Sequence, residues 1–207
     1  YPGQDEAAPI DFPTWTAAGG PCDIRQHPEY DPDLVIQQLG LVDRTCYAGV
    51  DASWTTDLTS VVFVFPPEGE ADAGVWKVLP FFWMPKGKIQ KRVETDKVPY
   101  DEWAKAGFVE AIPGGYIDQL YIREKLLWGS RIFDLREVCY DKWSFRDSAQ
   151  TLFREGLMVT EVPQNFSYLS APTKHLLELY PENKLWHGNH PVLNFNARCL
   201  RLQADRK

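Results

Sequence analysis

Two aspartates follow apolar stretches that have the length and composition of buried strands. Asp51 comes after residues 46–50, and Asp141 comes after residues 138–140. In a mixed sheet, the ends of adjacent strands bring two such carboxylates close together. Two like charges at short range do not both ionise cheaply without a cation between them, and divalent ions prefer oxygen ligands. The pair therefore predicts a metal site suited to two-metal hydrolysis.

A simpler use of Asp51 and Asp141 stays open at this point. An aspartate at the end of a strand often caps the helix or turn that follows, because its carboxylate accepts hydrogen bonds from free backbone amides. Spacing alone does not separate a metal ligand from such a cap.

Basic side chains lie on both sides of this expected site in the sequence. Lys142 and Arg146 come shortly after Asp141. A second basic group follows the third predicted strand and consists of Lys86, Lys88, Lys91 and Arg92. Clustered positive charge binds the phosphates of nucleic acids, although a solvated helix face has the same composition. We interpret both groups as candidate residues for binding nucleic acid.

Two histidines share a loop rich in glycine and asparagine. His187 and His190 are candidates for contacting a nucleic acid or positioning a substrate, and the alternative is a structural role. The four cysteines lie far apart, without a Cys-x-x-Cys pair, so a structural zinc site is not expected. Reduced thiols in a cytoplasmic protein are the simplest interpretation.

The elements that must position these residues indicate the α/β class. Strands are predicted over residues 45–51, 59–66, 75–84, 133–140 and 157–162. The first three are joined by short connections and predict an antiparallel meander, whereas the last two alternate with helices and predict parallel additions. The expected fold is a mixed five-stranded sheet with helices on both faces. Pro80 argues for an edge or bulge position in the third strand.

Helical patterns occupy most of the remaining chain after the meander. Helices are predicted over residues 88–95, 100–106, 117–128, 146–155, 171–180 and 192–199. Residues 200–205 alternate like a strand. No stretch approaches the roughly 18 apolar residues of a membrane span, and no phosphate-binding Gly-x-x-x-x-Gly-Lys-Ser/Thr loop is present.

Charge is spread unevenly along the 207 residues, whose formal net charge is −7. Residues 1–44 contain eight acidic and two basic side chains, and their composition resembles that of a linker. We expect an irregular acidic arm there and a separate domain over residues 45–207. Because that domain is nearly neutral, any contact with nucleic acid must come from a local basic patch.

A series of short motifs resembles the nuclease domain of tailed-phage terminase large subunits. In order, they cover residues 46–53, 56–59, 113–118, 140–143, 152–156, 162–164, 169–174 and 185–193. Single motifs are weak signals, but their order is specific to this family of DNA-packaging and DNA-cutting motors. The resemblance implies an RNase H-like fold and an endonuclease site that uses two Mg²⁺ or Mn²⁺ ions.

The resemblance also implies roles for individual acids. Asp51 matches the family's ligand on the first strand, and Asp141 matches the ligand on the fourth. Asp57 falls where the family keeps an acid, and Asp118 falls where some related nucleases hold a helix carboxylate; a turn residue and a helix cap are the respective alternatives. Asp205 is the last acid, but it matches the strand before the family's final helix.

The chain departs from the family in two respects. It ends before the helix that carries the third catalytic acid, and it has no ATPase half. We therefore expect a nuclease domain that lacks its final helix and that works with double-stranded DNA, a small terminase subunit, a portal and an ATPase domain in the host cytoplasm.

Two other functions remain as alternatives. One is a catalytically silent DNA-binding or docking module with the same fold. The other is an ATPase domain of the sugar-kinase or actin type, which needs glycines in the turn after the first strand, where residues 52–55 have none.

Overall fold

A mixed sheet forms the centre of the molecule. The computed structural model describes residues 9–20, 23–26, 29–53 and 58–203, apart from the side chains of residues 143 and 144. The strands are β1 (Thr45–Asp51), β2 (Thr59–Phe65), β3 (Trp76–Pro85), β4 (Glu110–Ile112), β5 (Asp134–Tyr140), β6 (Val159–Glu161) and β7 (Leu185–Trp186). Their spatial order is β4-β3-β2-β1-β5-β6, and β7 pairs with the start of β3.

The predicted mixed sheet, with an antiparallel meander and parallel additions, is confirmed, but the predicted count of five strands is too low. β1, β2 and β3 form the antiparallel meander, and β5 and β6 add in parallel next to β1. The two additional strands, β4 and β7, have three and two residues. Such short segments show no side-chain periodicity, because a period of two needs several residues to become visible.

Five strands end on the same side of the sheet, which we call the carboxyl edge. β3 runs parallel to β1 because both are antiparallel to β2. β4 is parallel to β3, β5 is parallel to β1, and β6 is parallel to β5. The last residues of these strands are Asp51, Pro85, Ile112, Tyr140 and Glu161. Ligands of open α/β sheets commonly bind beyond such an edge.

Pro80 occupies an edge position, as its inability to donate a backbone hydrogen bond requires. It pairs with Val62 of β2 on one side. On the other side, β7 reaches only Lys77 and β4 begins only at Trp83, so no strand in the described part pairs with β3 at Pro80.

Eight α-helices flank the sheet in the described part of the chain. They are α1 (Phe12–Ala18), α2 (Pro32–Leu39), α3 (Lys86–Asp96), α4 (Tyr100–Lys105), α5 (Gln119–Ile132), α6 (Lys142–Arg154), α7 (Phe166–Leu179) and α8 (Pro191–Cys199). None of the described helices is both long and apolar enough to cross a membrane. The strand predicted at the end is not observed over residues 200–203, and residues 204–205 lie outside the described part.

The main core forms between the sheet and α5. Phe63 of β2 meets Trp128 and Phe133 edge-on, with ring centroids 6.2 and 5.4 Å apart. Gly129 lies directly over Phe63, where a Cβ atom would overlap the ring. The small residue therefore sets how closely α5 approaches β2.

The described residues before β1 are packed and partly helical. Trp15 of α1 is 3% exposed, stacks on His187 at 4.2 Å and donates through Nε1 to Asn194 Oδ1 at 2.8 Å. Val35 and Ile36 of α2 are buried in the main core. The prediction of an irregular arm missed α1, because a seven-residue helix that contains Pro13 gives little periodic signal.

An ion network closes the side of the sheet opposite the carboxyl edge. Arg44, just before β1, pairs with Glu68 at 2.9 Å and with Asp72 at 2.6 Å, and Lys77 also pairs with Asp72. Burial opposes ionisation of Asp72, but hydrogen bonds from the Glu68 amide, Lys77 and Arg44 outweigh it and lower its pKa to about 2. The network holds the loop between β2 and β3 against the start of β1.

Candidate active site

Asp51 and Asp141 lie at neighbouring positions on the carboxyl edge. Val50 and Tyr140 pair across the parallel strands β1 and β5, and each aspartate is the next residue along its chain. Adjacent strands are about 4.8 Å apart, so the two backbones are one strand spacing apart here. Asp141 keeps an extended backbone, with φ −85° and ψ 135°. Alternation along the strands therefore places both aspartates on the face opposite Val50 and Tyr140.

The local sequence explains why these two acids end their strands. Along β1, Cys46, Ala48 and Val50 are buried in the core, whereas Asp51 is exposed. Asp141 is the N-cap residue of α6, but its side chain makes no capping hydrogen bond. The alternative use as a helix cap, which the sequence left open, therefore does not apply to the carboxylate of Asp141.

Asp118 reaches the same edge in a different role. It follows β4 and caps α5, and its Oδ1 accepts a hydrogen bond from the Leu120 amide at 2.9 Å. The other two predicted ligands, Asp57 and Asp205, lie outside the described residues. Across the described ranges, no three His, Cys, Asp or Glu side chains come together in an arrangement that could hold a metal ion.

Glu161 is an acid at this edge that sequence reasoning missed. It ends β6, pairs with Tyr140 and lies 3.9 Å from the Lys142 ammonium in a half-exposed ion pair. Its position near the end of a predicted parallel strand, residues 157–162, was the available signal. Because it pairs with Tyr140, it faces the side of the sheet opposite Asp51 and Asp141.

The basic residues of α3 begin directly at the carboxyl edge. Lys86 is the first residue of α3 and is exposed, as is Lys91, and Lys88 is partly exposed. Arg92 is instead held by Asp96 at 2.9 Å, one turn along the helix. The helix dipole of α3 adds to the attraction for anions at Lys86 and Lys88. On α6, Arg146 is exposed one turn after Asp141.

The structure corrects the role predicted for the two histidines. His187 and His190 are both 0% exposed, so neither ring can contact DNA in this conformation. His187 Nε2 lies 2.9 Å from the Trp15 carbonyl oxygen, to which it donates. His190 packs among aromatic rings, including Phe82 and Phe108. Gly188 and Asn189 predicted an exposed loop, but the segment from β7 to α8 is covered by α1.

Comparisons with known proteins agree with this geometry. Residues 25–206 match the family described as "Terminase large subunit, endonuclease domain". The large terminase subunit of Enterobacteria phage HK97 is 35% identical over 157 residues, which cover 74% of this chain and 30% of that protein. Protein YmfN of Escherichia coli K12 is 21% identical over 169 residues, which cover 80% of this chain and 37% of that protein.

A solved structure shows the same fold. The crystal structure of the HK97 bacteriophage large terminase superposes with a TM-score of 0.73 at 27% sequence identity, over 93% of this chain and 36% of that chain. The chain thus spans about a third of the length of these relatives. Because the family match covers most of its residues, the chain belongs to the terminase large subunits and corresponds to their endonuclease domain.

Proposed function

We propose that this chain is a metal-dependent endodeoxyribonuclease that hydrolyses phosphodiester bonds of double-stranded DNA at the carboxyl edge. The observation that carries the proposal is the placement of Asp51 and Asp141 after the paired residues Val50 and Tyr140. Within a packaging motor, such an activity would cut concatemeric DNA into genome lengths. The family's description as an endonuclease domain supports the same reaction class.

The donor set fits Mg²⁺ or Mn²⁺. Carboxylate oxygens are the ligands that these hard cations prefer, and two neighbouring carboxylates need a compensating positive charge. Asp51 and Asp141 would hold the metal, with Asp57 and Asp205 as further predicted ligands. Two bound ions would supply an activated water and stabilise the leaving oxygen. Asp118 is assigned to capping α5, since its carboxylate already accepts the Leu120 amide.

The chain's own cations would hold the DNA backbone over these acids. Lys86, Lys88 and Lys91 project from α3, and Arg146 projects from α6, on either side of the acid pair. Lys142 lies next to Asp141 and is oriented by Glu161. Contacts to phosphates position a duplex without reading its sequence, so we propose low intrinsic sequence specificity.

The remaining parts of the motor are proposed from the family alone. We propose that the domain acts in the host cytoplasm together with an ATPase domain, a small terminase subunit and a portal.

Plasmid nicking in the presence of Mn²⁺ tests the nuclease proposal. Asp51→Ala and Asp141→Ala should each lower the nicking rate by about a hundredfold or more, since even residues that only support metal ligands cost 10- to 100-fold. Asp147→Ala is the matched control, because Asp147 is an exposed acid of α6 that faces no proposed ligand, and it should nick normally. Nicking that survives Asp51→Ala would rule out this site.

A further inference from the structure

One exposed aromatic side chain lies at the carboxyl edge without a ring partner among the described residues. Tyr116 is 69% exposed, the highest value among the large hydrophobic side chains that the structure describes. It makes no ring contact with another described residue. Single exposed rings are common on protein surfaces, so the significance of Tyr116 lies in its surroundings at this edge.

The backbone around Tyr116 is fixed even though its ring is free. Residues 113–116 form an exposed loop between β4 and α5. The Gly114 carbonyl accepts a hydrogen bond from the Gly87 amide of α3 at 3.2 Å, and the left-handed φ of +98° at Gly114 suits glycine. On the other side, Ile117 is buried and Asp118 caps α5. The loop therefore presents Tyr116 from a rigid base.

The same loop lies beside the first, basic turn of α3 and on the same carboxyl edge as Asp51 and Asp141. Gly87, its contact on α3, is flanked by Lys86 and Lys88. From β4 to β1 there are three strand spacings, or about 14 Å along the edge. That length corresponds to roughly four base pairs of duplex DNA at about 3.4 Å each. One duplex lying along the edge can therefore contact Tyr116, the lysines and the acid pair together.

We propose that Tyr116 is a DNA-positioning residue, whose ring packs against a sugar or base in a groove of the duplex about four base pairs from the cut. The inference rests on the proposed nuclease function for the location of the cut. An aromatic ring beside lysines is the combination that nucleic-acid surfaces use, with cations holding phosphates and rings covering bases. Tyr116 is thereby a positioning residue and not a catalytic one.

Binding of a fluorescein-labelled duplex, measured by anisotropy in EDTA, tests the proposal without cleavage. Tyr116→Ala should weaken binding about fivefold or more, because the variant loses the apolar area that the ring buries in the groove. Tyr116→Phe and Tyr116→Trp should bind within about twofold of the wild type, because the ring supplies the contact and not the hydroxyl. Phe153→Ala is the matched control, because Phe153 is 63% exposed but lies at the far end of α6.

Salt dependence separates this contact from a purely electrostatic one. Tyr116→Ala should leave the slope of log affinity against log salt unchanged, whereas Lys86→Ala should reduce it by about one, since only a charged contact releases counterions. Thermal melts of each variant check folding.

Several outcomes would overturn the inference. They are equal binding by Tyr116→Ala and the wild type, an equal loss in Phe153→Ala, a loss in Tyr116→Phe as large as in Tyr116→Ala, or wild-type binding weaker than about 10⁻⁴ M, the weak end of non-specific affinity. If nicking survives Asp51→Ala while Tyr116→Ala still weakens binding, the nuclease site is wrong but the DNA contact stands.

Discussion

At the scale of single residues, the two buried histidines couple the fold to pH. Burial lowers the pKa of His187 from 6.5 to about 4, although its hydrogen bond to the Trp15 carbonyl opposes this. Burial, followed by repulsion from His187, lowers the pKa of His190 from 6.5 to about 3. No described group is hydrogen-bonded to either ring nitrogen of His190. Both rings are therefore neutral in the folded protein at neutral pH.

These shifts predict acid sensitivity of the folded state. The unfolded chain binds protons that the folded chain does not between pH 6.5 and about 4 at His187, and between pH 6.5 and about 3 at His190. Stability is therefore complete above pH 6.5 and falls as the pH drops. Each histidine contributes a slope of up to about 1.4 kcal/mol per pH unit. His190→Phe should remove the contribution of His190 to the pH dependence of the unfolding free energy, because phenylalanine does not bind a proton. The phenyl ring also suits the aromatic surroundings of Phe82 and Phe108.

Urea unfolding of wild type and His190→Phe at several pH values between 5 and 7 measures this difference. His175→Phe is the control for replacing a histidine at the surface, since His175 is largely exposed. Parallel pH profiles for the wild type and His190→Phe would contradict the assignment of His190 as a buried neutral ring.

At the scale of secondary-structure elements, the approach of α5 to the sheet depends on one glycine. Replacing glycine with alanine inside a helix normally stabilises it by up to about 1 kcal/mol. Gly129→Ala should do the opposite, because the new methyl group overlaps the Phe63 ring, and overpacking a core costs about 1–3 kcal/mol. Chemical denaturation gives the change in unfolding free energy.

A surface position on the same helix provides the comparison for Gly129. Glu124→Ala, on the exposed side of α5, should change the unfolding free energy by less than about 0.5 kcal/mol. A Gly129→Ala protein that is more stable than the wild type would show that α5 moves away from β2 at little cost.

The elements predicted well from the sequence are those long enough to show a period. β1, β2 and β3 follow their predicted ranges to within one residue at either end, because apolar and turn residues alternate clearly there. α7 was predicted to begin at residue 171, but it begins at Phe166 and continues through Pro172. The prediction failed because proline usually marks a helix start, and here the Asn165 cap lies earlier.

At the scale of the whole molecule, residues far apart in sequence form contacts that hold α1 against α8. Trp15 of α1 and Asn194 of α8 form a buried hydrogen bond across 179 positions. Trp15→Phe and Asn194→Ala should each destabilise the protein by about 1–3 kcal/mol, because each leaves a buried polar atom without its partner. The double variant should lose less than the sum, with a coupling of about 0.5–3 kcal/mol.

A double-mutant cycle by thermal or urea unfolding checks this coupling. Strict additivity of the two changes would mean that α1 is attached by apolar packing alone. No local pattern predicts such a contact, since neither the tryptophan nor the asparagine carries information about its distant partner.

At the candidate site too, contacts between residues distant in sequence could not be predicted from local patterns. Asp51 and Asp141 were predictable because each ends a recognisable strand, and parallel neighbours share an edge. The burial of His187 and His190 was not predictable, because it depends on residues that precede β1. Trp15 of α1 packs against His187, and Tyr30 packs edge-on against His190. No role was predicted for Tyr116 by itself, because its exposure depends on how the residues around it pack.

The direction of the strands also indicates where a tether for mechanical experiments can be attached. The loop between β2 and β3 lies at the opposite side from the acid pair and is anchored through Arg44. Ala71 in that loop is exposed. A cysteine introduced there could carry a bead or a surface tether that pulls on the rigid sheet, leaving the proposed cutting face turned towards free DNA.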